Sequence, residues 1–409
     1  MNIVVATDFA YVNGGAANIA LGSAKGLAAR GHHVVLFSAV GPVAEDLQDV
    51  PGLEAVCLDQ IDVWCDPNRV RAAAHSLWNH AAARRLAEVL APLDAAHTIV
   101  HVHSWTKALS SAVVRVASSR GFQVVMTLHD FFSVCPNGTF FDYRKGHRCH
   151  LRPLSAACLT SNCDANSYGH KLWRVGRQLV QRSLGLPRPG GDFVSVSAAS
   201  EAIFRQFLPP GSRLHHVQNF TEVPRSEPVP VDQNNSVIYI GRLSAEKGPH
   251  LLAECARRLN LPVVFVGAGP SAAAIHEQCP WAEVTGWLSA GGVRERLRSA
   301  RALVFPSLWF ETQGLVVAEA AAMGVPSIVP DTSAARDWVT NGVTGLWFKG
   351  GDIGDLCRHV AREMAEPACA AQMGQAAYRA FWSAPPTLDR HVRRLEDVYA
   401  SILAGSNGA

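Results

Sequence analysis

The sequence is short of charge. Only 17% of its 409 residues are Asp, Glu, Lys or Arg, against roughly 25% in an average soluble domain. With 48% of residues apolar, a disordered chain is excluded. The two signs nearly cancel, 37 Lys and Arg against 34 Asp and Glu for a net +3, so charge gives no footprint for a nucleic-acid partner. No apolar run approaches the ~18 residues of a membrane span. The opening MNIVVATDF lacks the basic stretch of a signal peptide and reads as a strand. Ten cysteines occur with no Cys-x-x-Cys pair among them. In a long chain without a secretory signal they point to thiols or metal rather than a disulfide framework. Single hydrophobic cores stop growing at about 250–300 residues, so two domains are expected, in a cytoplasmic protein.

Short β-branched runs alternate with longer helical patterns, the grammar of a doubly wound parallel sheet. Strands are expected at 3–6, 34–37, 98–102, 124–128 and 194–196, with helices at 16–30 and 69–90. A Pro-rich, polar break without apolar periodicity, EVPRSEPVPVDQNN, occupies 222–235 and reads as a boundary. Beyond it the alternation restarts, with strands at 237–240, 263–266, 303–305, 327–329 and 346–348 and a last helix at 388–403. The expected domains are 1–222, with a Cys-rich insertion near 135–163, and 236–384, joined by a linker at 223–235. Residues 385–409 form a C-terminal helix crossing back to the first domain.

Three places could carry chemistry. Glu311 and Glu319, in ETQGLVVAE, flank the start of a helix. A helix N-terminus offers unpaired N–H groups that attract phosphate, and acids there can accept from sugar hydroxyls. Equally, two acids at a helix start can simply serve its dipole. Arg242 and Lys247, in GRLSAEKG, leave the carboxyl end of a strand, where open α/β sheets bind ligands. They could clamp a diphosphate or stand in solvent. Gly14-Gly15 fills the first βα turn, which lacks the GxGxxG fingerprint of a dinucleotide site. Two glycines still let backbone approach an anion.

Together these segments resemble the retaining glycosyltransferases of the GT-B fold, family 4 type, which include sucrose synthase and bacterial mannosyltransferases. ETQGLVVAE followed by AAAMGVPSIVPD is similar to the family's paired-glutamate motif, and YIGRLSAEKG to its donor-phosphate motif. VGAGP and TGWL, with Gly267 and Gly286, fit its nucleotide-pocket strands, and NGGAA, TIVHVHSW and TLHDFF its first half. Thr312-Gln313 departs from the Gly-Phe or Ser-Phe of many members. The resemblance implies a UDP- or GDP-sugar donor and a saccharide or lipid-linked acceptor, with no cofactor required for catalysis. Arg242 and Lys247 would neutralise the β-phosphate, Glu319 would take the ribose hydroxyls, and Glu311 would sit by the donor sugar. The Gln313, Gly314 and Leu315 amides would bind sugar hydroxyls or phosphate, and Gly15 would close on the diphosphate. His129 matches a family histidine near the reacting sugar; otherwise it is a turn histidine serving Asp130 or a carbonyl. Rival readings are a nucleotide-sugar epimerase and a catalytically silent nucleotide-sugar-binding protein.

Three further expectations concern the first half. His101 and His103, alternating on one strand, are expected on opposite faces, so that at most one reaches the cleft. Cys135, Cys149, Cys158 and Cys163 lie in a polar segment that a structural zinc could hold, or remain unmetallated thiols. HKLWRVGRQLVQR, residues 170–182, forms a basic helix with Leu172, Val175 and Leu179 on one face. That face either packs on the core or touches a membrane surface peripherally.

Overall fold

The computed structural model describes residues 1–406; positions 407–409 of the expected C-terminal segment lie outside them. The strands, in chain order, are β1 (Asn2–Phe9), β2 (His33–Val40), β3 (Leu53–Cys57), β4 (Thr98–Val102), β5 (Gln123–Thr127), β6 (Phe141–Asp142), β7 (His147–Arg148), β8 (Asp192–Ser195), β9 (Arg213–His216), β10 (Ser236–Ile240), β11 (Val263–Val266), β12 (Glu283–Gly286), β13 (Ala300–Val304), β14 (Ser327–Pro330) and β15 (Gly345–Phe348).

Two parallel sheets result, ordered β3-β2-β1-β4-β5-β8-β9 and β12-β11-β10-β13-β14-β15. Central strands such as β1 are buried almost end to end, because helices cover both faces of a parallel sheet and leave no polar side. Strand order reverses between β1 and β4 and again between β10 and β13. Ligands of open α/β sheets bind at the carboxyl ends of strands beside such reversals, and here both reversals open onto one cleft.

The last helix, Leu388–Ser406, returns to the first domain. Val392, Leu395 and Tyr399 join Ile3, Val5, Ala20 and Leu27 in one core cluster. Near the boundary, the segment expected as a linker carries a fully buried Val231. Arg301 donates to the Val231 and Asp232 carbonyls, so this stretch lies on the second sheet.

Several elements differ from expectation. The 69–90 helix is two, Arg69–Leu77 and His80–Leu90. Buried Asn79 caps the second by accepting from Ala82 N–H, and its amide also bonds Gln60 and the Ala108 carbonyl. Strands β3, β9 and β12 were not expected. Each is a sheet edge, and RLHH and EVTG carry charge and turn residues instead of an apolar run.

One buried group yields a stability prediction. Glu363 is 1% exposed and neither carboxylate oxygen has a hydrogen-bond partner. Burial raises its pKa from 4.5 to about 7, against the pull of Arg362 and Arg301. The folded state then holds a proton that the unfolded state releases, so stability is present below pH 4.5 and is lost as pH rises towards 7. At about 1.4 kcal/mol per unit, Glu363→Met should gain on the wild type by roughly 3 kcal/mol between pH 4 and pH 8. Urea midpoints at both pH values measure this; parallel pH dependence in the two proteins would refute it.

Candidate active site

The site grows from two loops of the second domain. After β10, Gly248 adopts φ +68°, and a Cβ there would lie 2.1 Å from the Pro306 carbonyl oxygen, so only glycine allows the turn. That turn aims Lys247 at the loop after β13, where its ammonium donates to both Glu311 oxygens at 2.8 and 3.0 Å. Ser307 donates to the same carboxylate at 2.6 Å, and Lys247 lies 4.6 Å from the Trp309 ring centroid. Glu311 is buried and Lys247 mostly so. Arg242 is held by Glu246, which is itself 1% exposed and also accepts from Ser244 at 2.7 Å. The Arg242 side chain remains 60% exposed. Both cations are therefore fixed in position before any ligand arrives.

Gly314, at φ +78°, opens the helix Leu315–Ala322 without a side-chain cap. A Cβ on it would stand 2.7 Å from the Ala335 Cβ. The helix N-terminus thus stays bare towards the cavity, as an anion site requires. Further along this helix, burial raises the Glu319 pKa from 4.5 to about 7, with Arg294 pulling the other way.

A cavity of about 500 Å³ gathers Gly15, His129, Arg242, Lys247, Glu311, Gln313, Gly314, Leu315 and Glu319. A Cβ built on Gly15 would be 3.9 Å from Leu315 Cδ1, which measures how near the two domains come. An adjoining cavity of about 690 Å³ contains Gly267 and faces the first domain through Asp8, Thr106, Lys107 and Asp130. Gly286 lines neither; it accepts the Gly267 N–H at 2.9 Å and so sets the wall behind. A separate cavity of about 520 Å³, between Gln123, Asp192 and Ile402, contains none of the expected site residues.

The first domain contributes a row of imidazoles. His129 Nε2 and His103 Nδ1 are hydrogen-bonded at 3.0 Å, and the His101 and His103 rings lie 4.1 Å apart. The expectation of opposite faces for His101 and His103 is therefore wrong. Side chains of a strand alternate residue by residue, so positions two apart share a face. Burial lowers the pKa of His129 to about 3 and that of His103 well below the usual range, keeping both neutral. Thr312 donates to the His129 carbonyl at 3.1 Å, which ties the glutamate loop to the opposite domain. Sequence reasoning missed Glu246, Trp309 and Asn219, all at or behind the cavity. Glu246 lies within GRLSAEKG; the roles of the other two come from contacts that only folding creates.

The cysteine segment folds around a lysine. Lys171, 1% exposed, places its ammonium 3.1 Å from Cys163 Sγ and 3.6 Å from Cys158 Sγ. Burial opposes its charge, but the bond to Cys163 and the neighbouring Cys158 and Cys135 hold its pKa above the usual value. In this arrangement the sulfurs face a lysine. Among the described residues no group of three or more His, Cys, Asp or Glu side chains is placed to hold a metal, and a cation already stands against two of the sulfurs. The following helix, Tyr168–Ser183, also differs from expectation. Leu172 and Leu179 are exposed, whereas Lys171, Arg177, Gln178 and Gln181 are buried beside Val175. Its charges are satisfied from elsewhere in the chain: Arg174 pairs with Asp164 at 3.1 Å, and Arg177 donates to the Thr106 carbonyl.

Two parallel-sheet α/β domains are the architecture of the GT-B glycosyltransferases. Sucrose-phosphate synthase from Thermosynechococcus elongatus matches with a TM-score of 0.73 at 18% identity over 99% of both chains. HepE from Anabaena, in complex with UDP and glucose, matches at 0.67 and 15% over 98% of this chain and 99% of its own. At such identities the likeness is one of fold. The family models for the glycosyl transferase 4-like domain and for glycosyl transferases group 1 match residues 14–220 and 221–380. The chain belongs to this family of glycosyltransferases. A GDP-mannose-dependent alpha-mannosyltransferase of Corynebacterium glutamicum is 37% identical over 108 residues, 26% of each chain. A glycogen synthase of Mycobacterium tuberculosis is 29% identical over 244 residues, 54% of this chain and 57% of its own. The chain thus spans between a quarter and somewhat over half of these relatives.

Proposed function

We propose that this protein is a retaining glycosyltransferase that moves a sugar from a nucleoside-diphosphate donor to an acceptor hydroxyl in saccharide or glycoconjugate synthesis. One observation carries the reading: two cations, each fixed by a buried glutamate, stand in one cavity with the bare N-terminus of helix Leu315–Ala322. As the glycosidic bond breaks, charge grows on the β-phosphate, and Arg242, Lys247 and the backbone amides of Gln313, Gly314 and Leu315 are preorganised to receive it. Glu311, pinned by Lys247 and Ser307, lies at the donor-sugar end, and neutral His129 faces it from the first domain. Gly15 leaves room for the diphosphate between the domains. Ionised Glu319 accepts from the ribose hydroxyls; with its pKa near 7, donor binding should weaken as pH falls from 8 to 6. The transfer draws on these residues and asks no cofactor of them.

The acceptor is a saccharide or a lipid-linked one, and the work is done in the cytoplasm, with exposed Leu172 and Leu179 offering a peripheral membrane contact. No helix among the described residues is long and apolar enough to cross a membrane. The test is thermal shift against UDP- and GDP-sugars, since a donor that binds only the folded state stabilises it by mass action. One nucleotide series should raise the melting temperature, and NMR of the product should show the donor's anomeric configuration. No shift with any nucleotide sugar, or an inverted product, would overturn the reading.

A further inference from the structure

The donor residues leave Asp130, in the wall of the first domain, without a task. This residue follows His129 at the carboxyl end of β5. His129 lines the donor cavity, while Asp130 lines the adjoining 690 Å³ cavity with Asp8, Thr106, Lys107 and Phe132. The two cavities share Gly15, Gly241, Arg242, Lys247 and Trp309. A group held at Asp130 therefore sits one step from the donor sugar.

The hydrogen bonds of the two acids in this wall separate structure from availability. Asp8 is fully committed: its oxygens accept from the Lys107, Ala108 and Leu109 amides at 2.9–3.0 Å. Asp130 accepts one bond, from Phe132 N–H to Oδ1 at 2.9 Å. Its Oδ2 takes none among the described residues, and no cation pairs with it. Arg177 acts on it only through space, since it lies over the Phe132 ring at 4.6 Å and donates to the Thr106 carbonyl. Protein surrounds Asp130 on most sides, yet it keeps a face on the cavity. A carboxylate so placed calls for hydrogen-bond donors and repels anions, the more so with Asp8 beside it.

We propose that Asp130 is an acceptor-binding residue, whose Oδ2 accepts a hydrogen bond from a hydroxyl of a neutral, polyhydroxylated acceptor end. The acceptor hydroxyl is thereby turned towards the donor sugar beside His129. The class of acceptor that fits this point is a sugar or polyol rather than a phosphate. This inference rests on the glycosyltransferase reading but adds the chemistry of the second substrate.

The bond is strongest while Asp130 is ionised. Burial raises its pKa from 3.8 to about 6, helped by Asp8 and opposed by the Phe132 amide, Arg177 and Lys107. Arg242 and Lys247 face the same cavity from the second domain. Acceptor binding should accordingly weaken as pH falls from 7 to 5.

The experiment uses methyl α-glucoside, methyl α-mannoside and glycerol as probes on nucleotide-saturated protein, with saturation-transfer NMR as the readout. At least one probe should bind the wild type at pH 7.5, and about tenfold more weakly to Asp130→Asn, which keeps the side-chain shape and the Oδ1 contact to Phe132. The affinity of the wild type should fall at pH 5, and that of the variant should not. Asp130→Glu, which restores the charge, should recover part of the binding. Equal binding to wild type and Asp130→Asn, or binding of no probe, would overturn the proposal. The nucleotide thermal shift on the same samples separates this failure from that of the glycosyltransferase reading: absence of the shift defeats the reading, whereas its presence with an unaffected probe defeats only the role of Asp130.

Discussion

Lys247→Ala and Arg242→Ala should each lower kcat on the donor by on the order of 10²–10³, the usual cost of removing one preorganised stabiliser of developing charge. The loss belongs in kcat because a fixed cation favours the departing diphosphate over the intact donor. The two variants should differ in stability. Lys247 is the ion-pair partner of buried Glu311, which would keep only the Ser307 hydroxyl. Breaking a buried pair by removing one partner typically costs about 3–5 kcal/mol, and the remaining exposure of Lys247 lowers that figure. Arg242 is largely exposed, and Glu246 retains Ser244 as a donor after its removal, so Arg242→Ala should stay closer to wild type. Adding Glu311→Gln to Lys247→Ala should recover stability without recovering turnover, since it discharges the stranded acid but restores no cation. Circular dichroism, urea midpoints and donor turnover on the same samples decide this. Folded single variants with undiminished turnover would sink the mechanism.

What the sequence disclosed follows from where its signals are local. Central strands are continuous apolar runs because both faces are covered, and β1, β10, β11 and β14 stand where those runs lie. Edge strands such as Arg213–His216 have one neighbour and tolerate polar residues, so no run marks them. The break at Asn79 hid inside an alanine-rich stretch because a capping asparagine and a helical one look alike until the chain turns. Glu311, Glu319, Arg242 and Lys247 were legible through the motifs that carry the family resemblance, and they do meet in one cavity. What the motifs could not convey is that both cations are paired: Lys247 is bound to Glu311, and Arg242 to Glu246 inside its own motif. The cysteines show the opposite case. Their clustering suggested metal, but the fold inserts Lys171 from the next helix against two of them. The same helix looked amphipathic only while its arginines lacked visible partners, which Asp164, Asn137 and Thr106 supply from distant positions.

Tyr399→Ala should strongly destabilise the first domain, although Tyr399 is distant from it in sequence. Tyr399 is fully buried in the cluster formed with Ile3, Val5 and Leu27, and its hydroxyl lies 2.5 Å from His101 Nδ1. Truncating a large buried ring costs about 3–5 kcal/mol in a packed core. Here it also leaves His101 Nδ1 without a partner, which adds a desolvation penalty. The surrounding contacts limit relaxation. Val392 packs so closely on the first helix that a Cβ on Gly26 would lie 2.6 Å from it. His391 bonds Ser23 and the Gln218 carbonyl, and Glu396 receives both Arg30 and His32. Tyr399→Phe keeps the ring and should cost only about 1–3 kcal/mol, the penalty of one unsatisfied buried group. The hydroxyl also leads to the site, for the His101 ring lies against that of His103, and His103 is bonded to His129 in the cleft. Tyr399→Phe should therefore lower turnover more than its urea midpoint alone explains, whereas the nearby Val398→Ala should act on stability only. A Tyr399→Ala midpoint within about 1 kcal/mol of wild type would mean that the C-terminal helix is not part of this core.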